Sequence, residues 1–576
     1  MKKTVFLLSA AALLLWGCPG PTDSGQQVQE LPGGKVAGGV FRINEVEDFR
    51  NLYPLEITEV TSFRITNQIY EGLVKFNQKD LSIIPSLAES WEVNEDATSF
   101  TFKIRKGVKF HEDECFGETK TREVNAHDFK YCLDRLCVAT PDNQMFWLFQ
   151  GKVIGADEYY ESTYNDSPLE GGVEGVKVID DYTIQINLKF PFAGFLNIIA
   201  HSACWVYPKE AYEKYGIEMR VTCVGTGAFK VKTVEEGKVV ILEKNPNYWG
   251  KDKHGNQLPY LDAIKFSFLK EKKSELFEFR KGNLDMVFKL PLEMIDDVLG
   301  ELEEAKEGGN MPFNIQVTPA MVIQYYGFQH KSALFSNKKL RLAMNYAIDR
   351  ETIVTYTLQG DGTAATYGIV PIGFKGYEYD SLKGYNFDPE KARKLLAEAG
   401  YPNGEGLEPL TLQLNSGGSN NIMIAEVIQS QLKENLNITV KMDVMPFAQH
   451  LEKLETGNTL FWRSAWLADY PDPENFLTLL YGKLVPEELS SKSYVNSVRY
   501  QNEEYDALFE QALQTVDKAA RYRLYRMAEQ VMLDDAAIMP IYYDEFTRLL
   551  QKNVRNFPAN AAEYRDLSEV YFKDEE

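Results

Sequence analysis

Between Leu410 and Val444 the apolar residues change period twice, and this constrains the fold more than any other feature of the chain. Leu410, Leu412 and Leu414 alternate with other residues, as one face of a strand does. Ile424, Val427, Ile428 and Leu432 then recur at helical spacing, and Ile438, Val440, Met442 and Val444 alternate again. A strand, a helix and a second strand in this order predict a βαβ unit with a right-handed crossover. Neighbouring segments agree. Asn337 can cap a helix on which Leu340, Ala343, Met344, Ala347 and Ile348 share one face. Asp388-Pro389 opens another helix, which Gly400 closes. The second half of the chain is therefore α/β.

The first half is richer in strand signals. Phe100, Phe102 and Ile104 alternate, Lys106-Gly107 turns, and Val108 and Phe110 resume the pattern. Val176–Val178 and Thr183–Phe190 read as strands joined at Asp180-Asp181. Gly225-Thr-Gly227 lacks the third glycine of a dinucleotide loop and opens no helix, so it makes no phosphate site. Two amphipathic helices, Glu503–Leu513 and Arg521–Met532, precede a strand from Ile538 to Phe546. At 576 residues the chain exceeds what one core can organise, and two to four domains are expected.

Lys2 and Lys3 precede an apolar run from Val5 to Trp16, too short to span a bilayer but suited to a secretory leader. The run ends Leu15-Trp16-Gly17-Cys18, which resembles a bacterial lipobox. Residues 1–17 are then a signal peptide, Cys18 is the lipidated residue, and 18–35 form the anchor and a flexible tether. A coil of this length reaches roughly 20–25 Å. The net charge of −22 argues against nucleic acid or an anionic membrane surface as the main partner. Cys115, Cys132, Cys137, Cys204 and Cys223 remain, enough for at most two disulfides, and sequence leaves their pairing open. Cys204 with Cys223 is the favoured bridge. His111, Cys115, His127, Cys132 and Cys137 fit no compact zinc spacing, so neither a metal nor another cofactor is expected.

The chemistry concentrates in TLFWRSAWLADYPDPENF, from Thr459 to Phe476. Arg463 and Asp469 place opposite charges six residues apart, with Ala465 and Trp466 between them. Aromatic walls dry a site, and a dry site holds ions only when they are paired. A zwitterionic ligand would meet both charges, its ammonium on Asp469 and its carboxylate on Arg463. The plainer alternatives are a surface ion pair and an ordinary Asp-Pro turn. A hydrolase could be built on Asp469, Asp472 and Glu474. No nucleophile elbow, zinc helix or phosphate loop accompanies them, so no catalytic residue is assigned.

Read in order, the phrases IYEGLVKF, PSLAESWEV, FTFKIRKGVKFH, VGTGAFKV, NPNYWGK, LRLAMNYAIDRE and the Thr459–Phe476 segment resemble family 5 solute-binding proteins of ABC importers. The resemblance runs over about residues 36–550. It implies an α/β, periplasmic-binding-protein-like flytrap of two lobes (type II, cluster C) with an extra domain, three domains in all. Domain I would comprise 36–67, 179–316 and 541–576 with the C-terminal tail, domain II 68–178, and domain III, the opposing lobe, 317–540. It also implies a monomeric, extracytoplasmic lipoprotein, held to the membrane only by its lipid, that delivers short peptides to ABC permease subunits and their cytoplasmic ATPases. By the same resemblance the ligand set is Asp469, Arg463, Trp466 and Ala465. Other members of the family bind oligosaccharides, nickel chelates or opines, and a purely sensory role is a further alternative.

Overall fold

A computed structural model describes residues 29–574, apart from 141–142, 193, 291–293, 296, 299, 301–311 and 417–418. The expected leader and the lipidated Cys18 lie outside the described residues.

The βαβ unit forms as its periodicity predicts. The strand Leu410–Asn415 and the strand Val440–Met445 are parallel, in register from Leu410↔Val440 to Asn415↔Met445, with the helix Ser419–Leu436 between them. Leu412, Leu414, Ile428, Leu432 and Ile438 join Leu340, Met344 and Ile348 in one apolar core. The alternation over-reads only the end of the second strand, where Val444 is exposed. That strand is the sheet's outermost. Asn337 caps the helix Lys338–Tyr346 by accepting from the Lys339 amide at 3.1 Å.

This sheet joins the halves of the molecule. Its order is Met286–Phe288, Ile538–Gln551, Phe313–Phe328, Phe461–Leu467, Leu410–Asn415, Val440–Met445. The two long strands, Phe313–Phe328 and Ile538–Gln551, pair antiparallel from Phe313↔Gln551 to Gly327↔Ile538. Their register shifts between Pro319 and Ile323 and again at Gln324/Tyr325. A proline, which cannot donate to a ladder, thus sits where the strand is irregular. At the Phe313 end the partner strand is Met286–Phe288, whose neighbour Asp285 is bonded to Arg42. At the other end lies the βαβ core. The expected divisions at 316/317 and 540/541 both fall inside these crossing strands.

Two four-stranded sheets complete the first lobe. One has the order Phe229–Glu235, Val239–Lys244, Ala263–Ser267, Val40–Asn44. The other runs Ala88–Val93, Ser99–Ile104, Thr183–Asn187, Val176–Asp180. Because Thr183–Asn187 pairs with both Ser99–Ile104 and Val176–Asp180, this sheet continues past the boundary expected at 178. The turn at Gly225-Thr226-Gly227 packs on the backbone of 68–69. A Cβ at Gly225 would stand 2.1 Å from the Ile69 carbonyl oxygen, and one at Gly227 2.6 Å from that of Gln68. His111 locks the same turn, with Nε2 at 3.0 Å from the Gly227 carbonyl, and is structural.

Two expectations are corrected. The tether ends earlier than residue 35, because Gln29–Leu31 and Lys35–Ala37 form an antiparallel hairpin. The hairpin is held where Asn256 donates to the Pro32 carbonyl at 2.9 Å and where Val36 is buried. The Cys204–Cys223 bridge does not form, and all five described cysteines are free thiols. Cys204 ends a short turn in the core and perturbs Cys137, whereas Cys223 Sγ lies 4.0 Å from the Leu52 carbonyl, so the two thiols face different neighbours. His111, Cys115, His127, Cys132 and Cys137 do not converge, and the described residues contain no metal-ligating cluster.

Candidate functional site

The strand Phe461–Leu467 carries the aromatic segment into the molecule. Phe461 and Trp462 are buried, and one edge of the strand pairs antiparallel with Phe313–Phe328, from Val322↔Leu467 to Phe328↔Phe461. On its other edge the parallel strand Leu410–Asn415 reaches only Phe461 and Trp462. His450 Nε2 then meets the Arg463 carbonyl at 3.1 Å. Beyond that point no strand pairs with this edge among the described residues. Residues Arg463 to Pro471 line a cavity of about 490 Å³ that also takes walls from Glu59, Arg64, His201 and Tyr494.

Asp469 follows the end of this strand and is oriented by one amide. Asn475 Nδ2 donates to Asp469 Oδ2 at 3.2 Å, while Asn475 Oδ1 accepts from the Asp469 amide at 3.0 Å and from Trp466 Nε1 at 2.8 Å. Across the cavity, His201 Nε2 lies 3.9 Å from Asp469 Oδ1. His201 Nδ1 accepts from the Ala203 amide at 3.1 Å, which assigns the ring proton to Nε2. Burial lowers this histidine to about 4, so it is neutral at physiological pH. Burial likewise pushes the Asp469 carboxyl up to about 7, against the smaller opposing effect of the Asn475 amide. The side chain retains 25% exposure, and it lines the cavity. No Lys or Arg pairs with it among the described residues.

Arg463 is the counterpart. Its Nη1 donates to Asn415 Oδ1 at 3.2 Å and its Nη2 to Gln324 Oε1, both neutral acceptors. Asp544, which accepts from Gln324 Nε2 at 3.0 Å, is already paired with Lys289 Nζ at 2.5 Å. His450 adds no charge of its own, because burial and the neighbouring guanidinium lower it to about 3. Arg463 therefore forms no ion pair among the described residues.

Ion pairs between residues far apart in the chain also border the cavity. Arg50 Nη1 is 3.3 Å from Glu455 Oε1 and Nη2 is 3.9 Å from Glu452 Oε2, with Glu455 buried. Trp466 and Tyr494 pack as tilted rings 5.8 Å apart and form the aromatic wall beside Asp469.

The four residues anticipated as a ligand set, Asp469, Arg463, Trp466 and Ala465, line one cavity. Of the acids of the hydrolase alternative, Asp469 is in this set, while Asp472 and Glu474 do not line the cavity. Tyr470 donates to Glu474, and the Glu474 amide donates to Asp472 at 3.0 Å, so both carboxylates are bonded within the turn that follows Asp469. Sequence reasoning missed Asn475, which stands in the same motif six residues after Asp469 and could have been found there. It also missed His201, Gln324, Asn415 and the Arg50–Glu455 pair. No local signal marks those residues, which reach the site from distant parts of the chain.

The model of the bacterial extracellular solute-binding proteins, family 5, matches residues 82–485. The chain is 28% identical over 518 residues to the periplasmic oligopeptide-binding protein OppA of Escherichia coli K12, covering 88% of each sequence. It is 27% identical over 567 residues to the heme-binding protein A of Haemophilus influenzae, covering 96% of each. Among solved structures, the oligopeptide-binding protein OppAIV of Borrelia burgdorferi superimposes with a TM-score of 0.80 at 26% identity, over 92% of this chain and 99% of that one.

Proposed function

The chain belongs to the bacterial extracellular solute-binding proteins, family 5, and on that premise we propose that it captures short peptides and delivers them to an ABC permease. Relatives named for oligopeptides and for heme show that the family alone does not choose the ligand, so the choice rests on this chain's own site. One observation carries it. Among the described residues, a carboxylate without a cation and a guanidinium without an anion line the same cavity. Leaving either charge desolvated and unpaired is costly, and a peptide's two termini relieve both at once. A neutral sugar would relieve neither.

The remaining contacts suit a peptide of any sequence. The unpaired edge from Ser464 to Leu467 offers backbone groups for strand addition, a mode of recognition that ignores side-chain identity. A micromolar ligand needs about −8 kcal/mol. A few charge-assisted bonds and main-chain pairing supply energy of that order. Closure follows if the ligand contacts both lobes, because only differential affinity shifts an equilibrium. We further propose the extracytoplasmic setting with a lipid on Cys18, the three-domain division, a monomeric state and the absence of catalysis as parts of this reading. Arg463 would take the carboxylate of tri- or tetrapeptides.

Native mass spectrometry of the mature protein tests the ligand class. Peptides should co-purify with the parent and be absent from Asp469→Asn. A ligand without a free amine, or equal peptide occupancy in both proteins, would overturn the proposal.

A further inference from the structure

At the end of the cavity nearest the crossing strands, five charged side chains from distant parts of the chain meet. Arg64 Nη1 is 2.7 Å from Glu45 Oε2, and Arg64 Nη2 is 3.7 Å from Glu563 Oε2. Arg565 reaches Glu45 at 2.8 Å and Glu563 at 2.7 Å, and Arg548 stands 3.6 Å from Glu563. The cluster therefore holds three guanidinium groups against two carboxylates. The nearby cations Lys289 and Lys272 are matched by Asp544 and Glu275, and burial raises the two further carboxyls lining this cavity, Glu47 to about 7 and Glu59 also upward, which favours their neutral forms. Phe288 lies under two of the cations, 4.6 Å from Arg64 and 5.1 Å from Arg565, and dries the cluster on that side.

Arg64 is the arginine of this cluster that lines the cavity, along with Glu45 and Glu563. Its side chain is 8% exposed, and its Nε has no hydrogen-bond partner among the described residues. A buried, partnerless donor on a cation in a region of net positive charge leaves an anion's place unfilled. Arg463 does not account for this, because it stands on the strand Phe461–Leu467 of the opposing lobe with its own separate partners.

We propose that Arg64 marks a subsite for a second carboxylate, so that the preferred ligands are peptides bearing an acidic side chain. This rests on the peptide reading above. In the bound state the ligand's ammonium meets Asp469, its terminal carboxylate meets Arg463, and its side-chain carboxylate completes the charge balance at Arg64. Such a ligand is matched by charge at three points, and a Gln isostere loses only the third.

The test is calorimetric titration of alanine tri- and tetrapeptides carrying Glu or Gln at each position in turn. For at least one position Glu should bind about 10- to 100-fold tighter than Gln, the range of one charge-assisted hydrogen bond. Arg64→Gln should abolish that preference, bringing Glu and Gln peptides to the same affinity, whereas Arg64→Lys should keep part of it. A purely structural Arg64 would weaken every peptide alike. Equal affinities for Glu and Gln at all positions of the parent overturn the subsite but leave the peptide reading standing, even if the variants fail to fold. A Glu preference that survives Arg64→Gln overturns the assignment to Arg64. Failure of every peptide to bind overturns both.

Discussion

Replacing Asp469 by Asn isolates the charge while keeping the shape. The substituted amide can still present an oxygen to Asn475 Nδ2, and the Trp466–Asn475 bond is untouched, so the local fold should persist. What disappears is the anion that awaits an ammonium. Truncating one partner of a buried, hydrogen-bonded charge pair costs about 2–5 kcal/mol. At about 1.4 kcal/mol per decade the dissociation constant should rise roughly 30-fold to several thousand-fold. The same substitution should stabilise the ligand-free protein. Burial raises this carboxyl from its ordinary 3.8 to about 7, so the folded state holds the proton more tightly than the unfolded chain. The penalty is absent below about pH 4, grows as pH rises through the window, and is complete above about pH 7. At 1.36 kcal/mol per pH unit it amounts to about 4 kcal/mol at most. Differential scanning calorimetry of apo parent and Asp469→Asn should show a higher melting temperature for the variant at pH 8 and no gain at pH 4. Calorimetric titration in buffers of different ionisation enthalpy should show close to one proton released on peptide binding at pH 6. Affinity should climb from pH 5 to 7 and fall again as the peptide amine loses its proton near pH 8. Peptide binding by the variant within about 3-fold of the parent, or a parent whose affinity is flat from pH 5 to 7, would refute the reasoning.

Other outcomes follow from the same geometry. Arg463→Ala should weaken tripeptides by about 10- to 100-fold, as measured by titration, while amidated tripeptides change little. Trp466→Phe removes the donor that helps fix Asn475 and should reduce peptide affinity about 5-fold, with melting temperature as the folding control. Arg50→Ala removes the guanidinium paired with the buried Glu455. It should cost the closed form roughly 2 kcal/mol and enlarge the radius of gyration of the ligand-free protein in small-angle scattering. Gly225→Ala drives a Cβ to 2.1 Å from the Ile69 carbonyl oxygen and should lower global stability by about 1–3 kcal/mol in chemical denaturation.

The elements that sequence anticipated are those whose cause is local. The βαβ unit, the Asn337 cap and the Asp388-Pro389 helix start each depend on residues within a few turns of one another. The errors lie where distant segments decide. The alternation of Ile438 to Val444 says nothing about which strand is outermost, so the exposure of Val444 was not legible. The Pro- and Gly-rich stretch before Lys35 reads as coil because the groups that fix its hairpin, Asn256 among them, lie more than two hundred residues away. Cysteine spacing suggested a 204–223 bridge that the separate packing of the two thiols does not allow.

The sequence alone supplied the residues of the candidate site: an acid, an arginine six residues before it, and Trp466 between them. A short motif can specify these because side-chain type and order along a strand are covalent facts. Only the tertiary structure decided that the two charges remain unpaired among the described residues, since that depends on every cation and anion the fold brings near. Gln324 and Asn415 meet Arg463 where a carboxylate could have stood. A neutral His201 faces Asp469 where a lysine would have cancelled it. Coulomb interactions act through space and burial sets their strength, so the free charges, and with them the ligand, are properties of the folded chain.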